Sequence, residues 1–354
     1  MIIYVLNYIV MFFWGFLKSR NAMIFIAGLQ IFIILALRAE DLGVDLDKYK
    51  EAYYYYQNYS LIEILKSLRI FSYANIPIGV ESGYVLLNWI LGSLGVSFHS
   101  FLILHAFFCV LSLCLFVKNF SRIPWLSFSI VIAIGMYSYM FCILRQAIAV
   151  AILYQTISLI NQRKICKFLI LVFLASLFHV IAILFLPLYW LGNLKIDVKN
   201  FSIAILLSCF VGLLVPFIYG LIFTRFFSEL NKDYSISTSF QYNNMFVFML
   251  FIVLFLFIFF KKDLEIEKKD SVLLWGSLLA IPVQSMSFYL PVFSRAAIGI
   301  FLPLIAILIP NIIEKNDDLK NKIFPKIFIY FVFFCYFMIT FNNGGLQIIP
   351  YRFY

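Results

Sequence analysis

Apolar runs long enough to cross a lipid bilayer recur along almost the whole chain, and short polar connections separate them. A helix needs roughly 17–25 apolar residues to span the ~30 Å hydrocarbon core. Hydrophobic residues make up 64% of the 354 residues and charged residues 12%, a balance that no soluble domain of this size can bury. Helices satisfy their own backbone in lipid, so the sequence predicts an all-α, polytopic membrane protein with one integral domain over residues 1–354.

The apolar runs predict between ten and twelve transmembrane segments. Candidate full spans lie at 1–17, 21–37, 98–117, 124–143, 145–160, 201–223, 243–260, 271–290, 296–313 and 324–341. Two further runs, 81–96 and 168–190, are ambiguous. Neither a charged n-region nor a cleavage site accompanies the first run, so we interpret it as a retained helix and not as a signal peptide.

The basic residues distinguish two topologies, because lysine and arginine tend to remain in the cytoplasm. One topology places 17 of the 27 basic residues, but only eight of the 17 acidic ones, in the cytoplasm. It requires 81–96 and 168–190 to be re-entrant or broken helices, which occur only inside protein or along a cavity. The alternative is twelve full spans with Arg145 facing the cytoplasm; we favour the first. The polar segments predicted to face outward are the loops 38–80 and 224–242 and the C-terminal tail 342–354.

Three arginines, Arg38, Arg145 and Arg295, stand where apolar runs begin or end. Charge so close to hydrocarbon is costly and usually lines a polar cavity. In the favoured topology all three lie at the outer face, where their forked donors suit a phosphate or pyrophosphate. Each arginine alone has a simpler explanation, in which its long side chain reaches the interface. The prediction of an anion site therefore depends on their convergence.

A tyrosine-rich segment follows in the first outer loop. Asp45 or Asp47 is predicted to cap a helix that begins near Lys48. The tyrosines predicted to share one face of this helix are Tyr49, Tyr53 and Tyr56, and those that broaden the aromatic band are Tyr54, Tyr55 and Tyr59. Tyrosine is common at membrane interfaces, which explains the band without a binding role. A compatible functional interpretation is a platform on which sugar rings stack.

Three titratable side chains at the outer face are candidate proton acceptors: Asp45, Glu81 and His179. Glu81 precedes an apolar run, so it also suits the positive end of a helix. A lone histidine in an apolar helix is often bonded to a neighbouring carbonyl. His179, however, lies in the middle of the ambiguous run 168–190, where re-entry would carry it into a cavity.

Other classes of function receive no support from the sequence. There is no phosphate-binding loop, dinucleotide fingerprint, nucleophile elbow or acidic metal cluster, so neither a cofactor nor a metal is predicted. The six cysteines form no C-x-x-C pair, and the three histidines are scattered. The net charge of +10 is spread over short loops, so it is interpreted as a topology signal and not as a nucleic-acid surface.

Short motifs in order along nearly the whole chain together resemble the EpsG/Wzy group of bacterial polysaccharide polymerases. The matching pieces are Arg38 with Gly43-Val44-Asp45 and Tyr49, Glu81-Ser82-Gly83-Tyr84, Leu144-Arg145-Gln146-Ala147-Ile148-Ala149, Phe178-His179 with Pro187, Arg295 before a span, and Pro350-Tyr351. That group usually has Gly-Thr-Asp where this chain has Gly-Val-Asp. A role for the threonine hydroxyl is therefore not carried over.

The resemblance implies a GT-C-like helical fold at the outer, periplasmic face of the bacterial inner membrane. The implied enzyme is a metal-independent glycosyltransferase, an O-antigen or other polysaccharide polymerase of the kind found in lipopolysaccharide biosynthesis. The implied donor is a growing glycan on undecaprenyl pyrophosphate, and the acceptor is a single repeat unit on the same carrier. Membrane lipids and a chain-length regulator are the other candidate partners, and nucleic acid is not one.

The resemblance also implies roles for particular residues. Arg145 and Arg295 would bind pyrophosphate with help from Arg38 or Arg352, and fixed cationic donors would stabilise the departing charge. His179 is our preferred base, with Asp45 and Glu81 orienting sugar hydroxyls or pairing with the arginines. The predicted substrate-binding residues are Gln146, Tyr49 and Tyr351.

Two alternatives remain. A ligase-like transferase, or a GT-C transferase that uses a polyprenyl-phosphate sugar, would share the same chemistry. A transporter or flippase of a lipid-linked oligosaccharide would also place arginines in a cavity within the membrane. Such a transporter is expected to show related halves, and the sequence contains no internal repeat.

Overall fold

A computed structural model describes residues 1–70, 73–76, 78–194, 199–200, 202–203, 206–207, 210, 214, 268–287, 292–315, 322–342 and 346–354. Within these ranges the regular structure is helical, and extended backbone pairs only in two isolated bridges. Phe98–Phe120, Phe293–Lys315 and Ile323–Phe341 are each long and apolar enough to cross a membrane. The prediction of an all-α polytopic membrane protein is confirmed. The predicted loop 224–242, the predicted span 243–260 and most of 201–223 lie outside the described residues.

The described helices follow the predicted apolar runs closely. They are α1 Ile2–Trp14, α2 Arg20–Ala36, α3 Leu46–Tyr56, α4 Leu61–Ser67, α5 Ser82–Ser93, α6 Phe98–Phe120, α7 Pro124–Ala133, α8 Met136–Cys142, α9 Leu144–Asn161, α10 Ile165–Ser176, a 3₁₀ helix Val180–Phe185, α11 Leu188–Leu191, α12 Lys268–Met286, α13 Val292–Ala296, a π-helical turn Ala297–Phe301, α14 Leu302–Lys315 and α15 Ile323–Asn342.

Helix ends that carry basic residues gather on one side of the molecule, which we call the basic end. Asn311 of α14 donates to the carbonyl of Phe120, at the end of α6, and to the carboxylate of Asp270 in α12, at 2.8 Å each. Arg20, at the start of α2, donates to the carbonyls of Lys118 and Ser121. These contacts bring together connections that the favoured topology places in the cytoplasm. We call the opposite side of the molecule the site end. The start of the first outer loop, residues 38–44, meets the C-terminal tail, residues 346–354, at this end.

The segment 165–194 is a helical hairpin, which decides between the two topologies for this part of the chain. It rises from the basic end as α10, turns at His179 and descends through the 3₁₀ helix and α11. The two arms pack together, since the rings of Phe168 and Tyr189 lie 5.1 Å apart. Trp275, in the first half of α12, donates to the carbonyl of Leu194 and holds the second arm against the part of α12 that leads to the basic end. The ambiguous run 168–190 is therefore re-entrant, as favoured, and not an ordinary crossing.

The other ambiguous run forms α5, whose 12 residues are too few to cross hydrocarbon. It packs with α3 and α4 as a layer at the site end, above the start of α6. Tyr53 of α3 stacks near Phe101 of α6 at 5.4 Å and donates to the carbonyl of Val96. The short length of α5 and its packing at the site end favour the prediction that 81–96 is not an ordinary crossing.

Two predicted single spans contain a break or a distortion. The run 124–143 divides into α7 and α8 at Gly135, whose φ of +88° suits glycine because it has no Cβ. The run 296–313 begins in a π-helical turn that leads from α13 into α14. Apolar periodicity does not report such local changes, so the sequence predicted both runs as uniform helices.

The C-terminal tail folds back onto the beginning of the first outer loop. The carbonyl of Leu346 accepts from the backbone N–H of Val44 at 3.0 Å, and Arg38 forms an antiparallel bridge with Phe353. The ring of Tyr354 stacks on His99 with the centroids 3.6 Å apart. The tail therefore fixes the loop from which α3 begins.

Candidate active site

The centre of the site end is an ion pair between Arg145 and Glu81. Arg145 lies in the first turn of α9, and its Nη1 contacts Oε2 of Glu81, the residue that immediately precedes α5. The side chains are only 16% and 5% exposed, respectively. His105, seven residues into α6, lies 3.2 Å from the carbonyl of Leu144, which places the start of α9 about 10 Å below the start of α6. Arg145 is therefore embedded and not at the surface.

His179 completes a cluster with this pair. Its Nδ1 lies 3.8 Å from Oε1 of Glu81, the carboxylate oxygen that does not contact Arg145. The backbone N–H of Ile181 points at the same Nδ1 at 3.4 Å, so Nδ1 is the acceptor and Nε2 carries the proton in this arrangement. The turn of the re-entrant hairpin thus delivers the predicted histidine to the predicted carboxylate and arginine.

Two tyrosine rings flank the guanidinium of Arg145. Its Cζ lies 5.8 Å from the centre of the Tyr49 ring and 5.7 Å from the centre of the Tyr73 ring. Nε of Arg145 also donates to the Tyr49 hydroxyl at 3.4 Å. Burial raises the pKa of Tyr49, and the nearby guanidinium opposes that shift. Cation–π contacts of this kind stabilise a guanidinium away from water.

The motif Glu81-Ser82-Gly83-Tyr84 explains how α5 holds its acid in place. The Ser82 hydroxyl accepts from the N–H of Arg69 and donates to its carbonyl, at 2.7 and 2.6 Å. Gly83 donates its N–H to the carbonyl of Leu177, and a Cβ at Gly83 would lie only 2.7 Å from that oxygen. Only glycine permits this approach, which joins the start of α5 to the turn that carries His179.

Arg295 is the second predicted pyrophosphate ligand, and its backbone is tied to the site. The Gln146 side chain, next to Arg145, donates to the carbonyl of Arg295 at 2.9 Å. A Cβ at Gly299 would lie 2.6 Å from the same amide, so glycine makes room for Gln146. The Arg295 side chain is exposed and forms no ion pair with a carboxylate in the described ranges. Gln146 is therefore a positioning residue in this structure.

Arg38 and Arg352 lie at the site end but are engaged differently from Arg145. Arg38 is 1% exposed and donates to the carbonyl of Phe141 at 2.7 Å, with its guanidinium over the Phe141 ring. Arg352 pairs with Asp41 at 2.8 Å in the tail contact. These geometries give both arginines a structural role, and we leave them out of the proposed anion site.

The structure also shows where three other predicted site residues lie. Asp45 immediately precedes α3, as predicted, but its side chain makes no capping hydrogen bond and no ion pair with a described residue. Tyr351 donates to the carbonyl of Ile34 at 3.0 Å. Tyr49, Tyr53 and Tyr56 are at most 6% exposed, so the predicted helical face is correct but its use as an open sugar platform is wrong.

Sequence reasoning missed Tyr73, which lies against Arg145 and forms an antiparallel bridge with Glu81. It stands in an irregular part of the loop without periodicity, so no spacing argument could place it. Its only signal was the presence of an aromatic residue eight positions before Glu81 in the same loop.

The model of the EpsG family matches residues 21–353, nearly the whole chain. The chain belongs to the EpsG family. Membership supports a polysaccharide polymerase-like function in general terms and a membrane location. No curated protein and no solved structure matches the chain.

Proposed function

We propose that this EpsG-family protein is an O-antigen or related polysaccharide polymerase that joins undecaprenyl-pyrophosphate-linked repeat units. The growing glycan would be transferred from its carrier to the terminal sugar of a new lipid-linked unit. The observation that supports this proposal is the embedded cluster of Arg145, Glu81 and His179. It combines a cation that can bind a pyrophosphate with an imidazole that can accept a proton and a carboxylate that can orient the imidazole.

Arg145 and Arg295 bind the pyrophosphate of the donor. In the substrate-free protein Glu81 compensates the charge of Arg145, which is necessary because an unpaired buried charge is strongly destabilising. An arriving pyrophosphate takes over the guanidinium of Arg145 and frees the carboxylate. Arg295, which is exposed and has no carboxylate partner among the described residues, supplies a second cation from the other side of Gln146.

His179 acts as the general base, and Glu81 orients it. The acceptor hydroxyl oxygen attacks the anomeric carbon of the donor, and the bond from that carbon to the pyrophosphate oxygen breaks. The hydroxyl proton passes to the imidazole of His179, and undecaprenyl pyrophosphate departs with the bonding electron pair. Once released by Arg145, Glu81 accepts a hydrogen bond from the imidazole at Nδ1, which selects the tautomer protonated there. Nε2 is then the nitrogen that takes the acceptor proton, and the carboxylate stabilises the imidazolium that forms. Fixed cations stabilise the charge on the departing pyrophosphate, so no metal is required.

The polyprenyl tails need apolar grooves that open to lipid. One groove of about 370 Å³ lies between α2 and α6, where Gly28 allows the two helices to approach closely. Its lining is almost entirely apolar, as a polyprenyl chain requires. Membrane lipids occupy such grooves when the substrate is absent, and a chain-length regulator remains a proposed partner.

The active site faces the periplasm of the bacterial inner membrane in this proposal. Asn58 is exposed beyond α3 at the site end, and Lys164 is exposed at the basic end before α10. We expect a membrane-impermeant maleimide to label Asn58→Cys in intact spheroplasts and to leave Lys164→Cys unlabelled until the membrane is opened. Labelling of Lys164→Cys from outside would reverse the orientation and contradict a periplasmic site.

Reconstitution tests the reaction itself. Purified protein in liposomes is given the pyrophosphate-linked repeat unit extracted from cells that make the polymer, and the products are resolved by size. A ladder of longer lipid-linked glycans supports a polymerase. A single transfer to another acceptor would identify a ligase-like or polyprenyl-phosphate-dependent transferase, and translocation without new bonds would identify a transporter.

A further inference from the structure

The short helix α4, in the first outer loop, presents an apolar face outward. Its side chains Ile64 and Ser67 are buried against the protein. Leu61, Ile62 and Leu65 are instead 47%, 64% and 52% exposed. Successive residues of a helix lie about 100° apart, so these three side chains share one arc of about 100° beside the protein-facing side. They form a compact apolar surface, which we call the α4 face.

The third side of α4 is polar. Helical spacing places Glu63 and Lys66 between the α4 face and the protein-facing side. The carboxylate of Glu63 accepts from the N–H of Ser60 at 2.8 Å and caps the helix. Lys66 and the following Arg69 are exposed. An apolar arc beside a polar arc that carries cations is the pattern of a helix that lies in a membrane surface, where lysine and arginine meet lipid phosphates.

The neighbours of α4 are also typical of a membrane–water boundary. Ile64 packs in an apolar cluster that includes the rings of Tyr55, Tyr59 and Trp89. Trp89 of α5 donates its indole N–H to the carbonyl of Tyr59 at 2.9 Å. Tyrosine and tryptophan are enriched where hydrocarbon meets water. Since this layer lies above the start of the transmembrane helix α6, α4 lies close to the level at which the leaflet at the site end meets water.

The C-terminal end of α4 is connected to the candidate active site. The Ser82 hydroxyl accepts from the N–H of Arg69 and donates to its carbonyl, at 2.7 and 2.6 Å. Ser82 immediately follows Glu81, the carboxylate that pairs with Arg145. A displacement of α4 relative to the membrane would therefore be passed to Glu81.

We propose that α4 docks on the lipid leaflet at the site end. Leu61, Ile62 and Leu65 lie among the upper parts of the acyl chains, and Lys66 and Arg69 lie at the lipid phosphates. The contact fixes the height of Glu81 relative to the plane of these phosphates. This second role rests on the proposed function, in which both substrates carry a lipid-linked pyrophosphate at the same membrane surface.

Fluorescence quenching measures the lipid contact directly. Ile62→Cys and Leu65→Cys are labelled with bimane and placed in nanodiscs of phosphatidylethanolamine and phosphatidylglycerol, where the buffer reaches both membrane surfaces. A lipid with a nitroxide high on its acyl chain should remove most of the bimane fluorescence, and iodide in the buffer should remove little. The parent, labelled in the same way, gives the background of its native cysteines, of which Cys166 and Cys335 are exposed.

Lys66→Cys is the matched control, because Lys66 lies on the polar side of the same helix. Its label should show the reverse pattern, with strong quenching by iodide and weak quenching by the nitroxide lipid. Equal quenching by iodide at Leu65→Cys and Lys66→Cys would place the α4 face in water and overturn the proposal. Protection of Leu65→Cys from both quenchers would mean that protein, such as a second copy of the chain, covers the face, and would overturn it too.

Polymer formation in liposomes tests the link to Glu81. The double variant Ile62→Glu with Leu65→Glu should polymerise several-fold more slowly per folded molecule, because charge on the apolar arc disfavours its insertion. Tyr54→Glu with Asn58→Glu adds the same charge to exposed positions of the same loop and should retain the parental rate. A parental rate in the first double variant would overturn the positioning role. If the parent itself makes no polymer, the proposed function fails, and quenching still decides the lipid contact.

Discussion

Arg38 and Arg145 occupy similar places in the sequence but very different places in the structure. Each stands at the boundary of an apolar run, and each is largely buried at the site end of the molecule. Arg38 donates to the carbonyl of Phe141 at the end of α8, whereas Arg145 pairs with a carboxylate beside a histidine. The Arg38 guanidinium donates to a carbonyl at a helix end. The charge of the Arg145 guanidinium is instead balanced by the Glu81 carboxylate, a side chain that can rotate away.

This difference shows what makes a buried arginine available to a ligand. Orphan carbonyls at a helix end need their donor permanently, so Arg38 cannot leave without exposing them in an apolar environment. A carboxylate side chain can rotate to another partner, and His179 lies 3.8 Å from Glu81. In the proposed reaction, exchange of Glu81 for a pyrophosphate keeps the charge of the Arg145 guanidinium compensated. The predictions below test this contrast, beginning with the largest expected effect.

Loss of Arg145 should abolish polymer formation. Arg145→Ala removes the embedded cation that we propose binds the pyrophosphate, and loss of one such donor typically costs about 10²–10³-fold in rate. Arg145→Lys should rescue poorly, because an ammonium does not reproduce the planar fork. The measurement is polymer formation per amount of correctly inserted protein. Near-normal polymer from Arg145→Lys would mean that charge alone suffices.

Arg145→Ala also leaves Glu81 buried without its partner, so a control must separate folding from catalysis. The double variant Arg145→Met with Glu81→Gln removes both charges together. We expect it to accumulate better than Arg145→Ala and to remain inactive. Activity in the double variant would contradict a role of either residue in catalysis.

Replacement of the proposed base should have an effect of comparable size. His179→Gln retains hydrogen-bonding capacity but removes the titratable nitrogen, and general-base assistance is typically worth about 10²–10⁴-fold. We expect kcat to fall within that range while the acceptor KM changes little. If purified His179→Gln polymerises within a few-fold of the parent, the base lies elsewhere, and Glu81→Gln and Asp45→Asn become the variants to measure.

The sequence predicted the membrane class, most helices and the central residues of the site, since these follow from apolar length and from charge at helix ends. It favoured a re-entrant run around His179 because the positive-inside rule made an ordinary crossing there the less favoured topology. It could not distinguish Arg38 from Arg145, because the distinction depends on tertiary contacts. Arg38 contacts a backbone carbonyl of α8, whereas Arg145 contacts the carboxylate that precedes α5. The same limit applies to Tyr49, since its burial depends on the packing of α3 against α5 and not on helical spacing.

Arg295 should be more tolerant than Arg145. Its side chain is exposed, so water can partly replace it, and only its carbonyl is fixed by Gln146. We expect Arg295→Lys to retain more activity than Arg145→Lys, and Arg295→Ala to raise the donor KM more than the acceptor KM. Titration of the lipid-linked donor glycan and of the single repeat unit with the purified, reconstituted protein measures the activity of each variant and the two KM values. Equal sensitivity to lysine at both positions would contradict the contrast between an embedded and an open arginine.

Arg38 should show the smallest effect on catalysis and a clear effect on stability. Arg38→Met keeps much of the side-chain volume but removes the donor to the carbonyl of Phe141, and hydrogen bonds that involve a charged group contribute about 1.5–3 kcal/mol. The variant should therefore accumulate less and unfold at a lower temperature in detergent, which size-exclusion chromatography after heating measures. Polymerisation per folded molecule should stay within about threefold of the parent, because nothing in the proposed reaction requires Arg38 to meet the pyrophosphate, whereas removal of one direct cationic donor costs about 10²–10³-fold. A loss of activity as large as that of Arg145→Ala, in protein with a normal unfolding temperature, would place Arg38 back among the pyrophosphate ligands and remove the distinction between the two arginines.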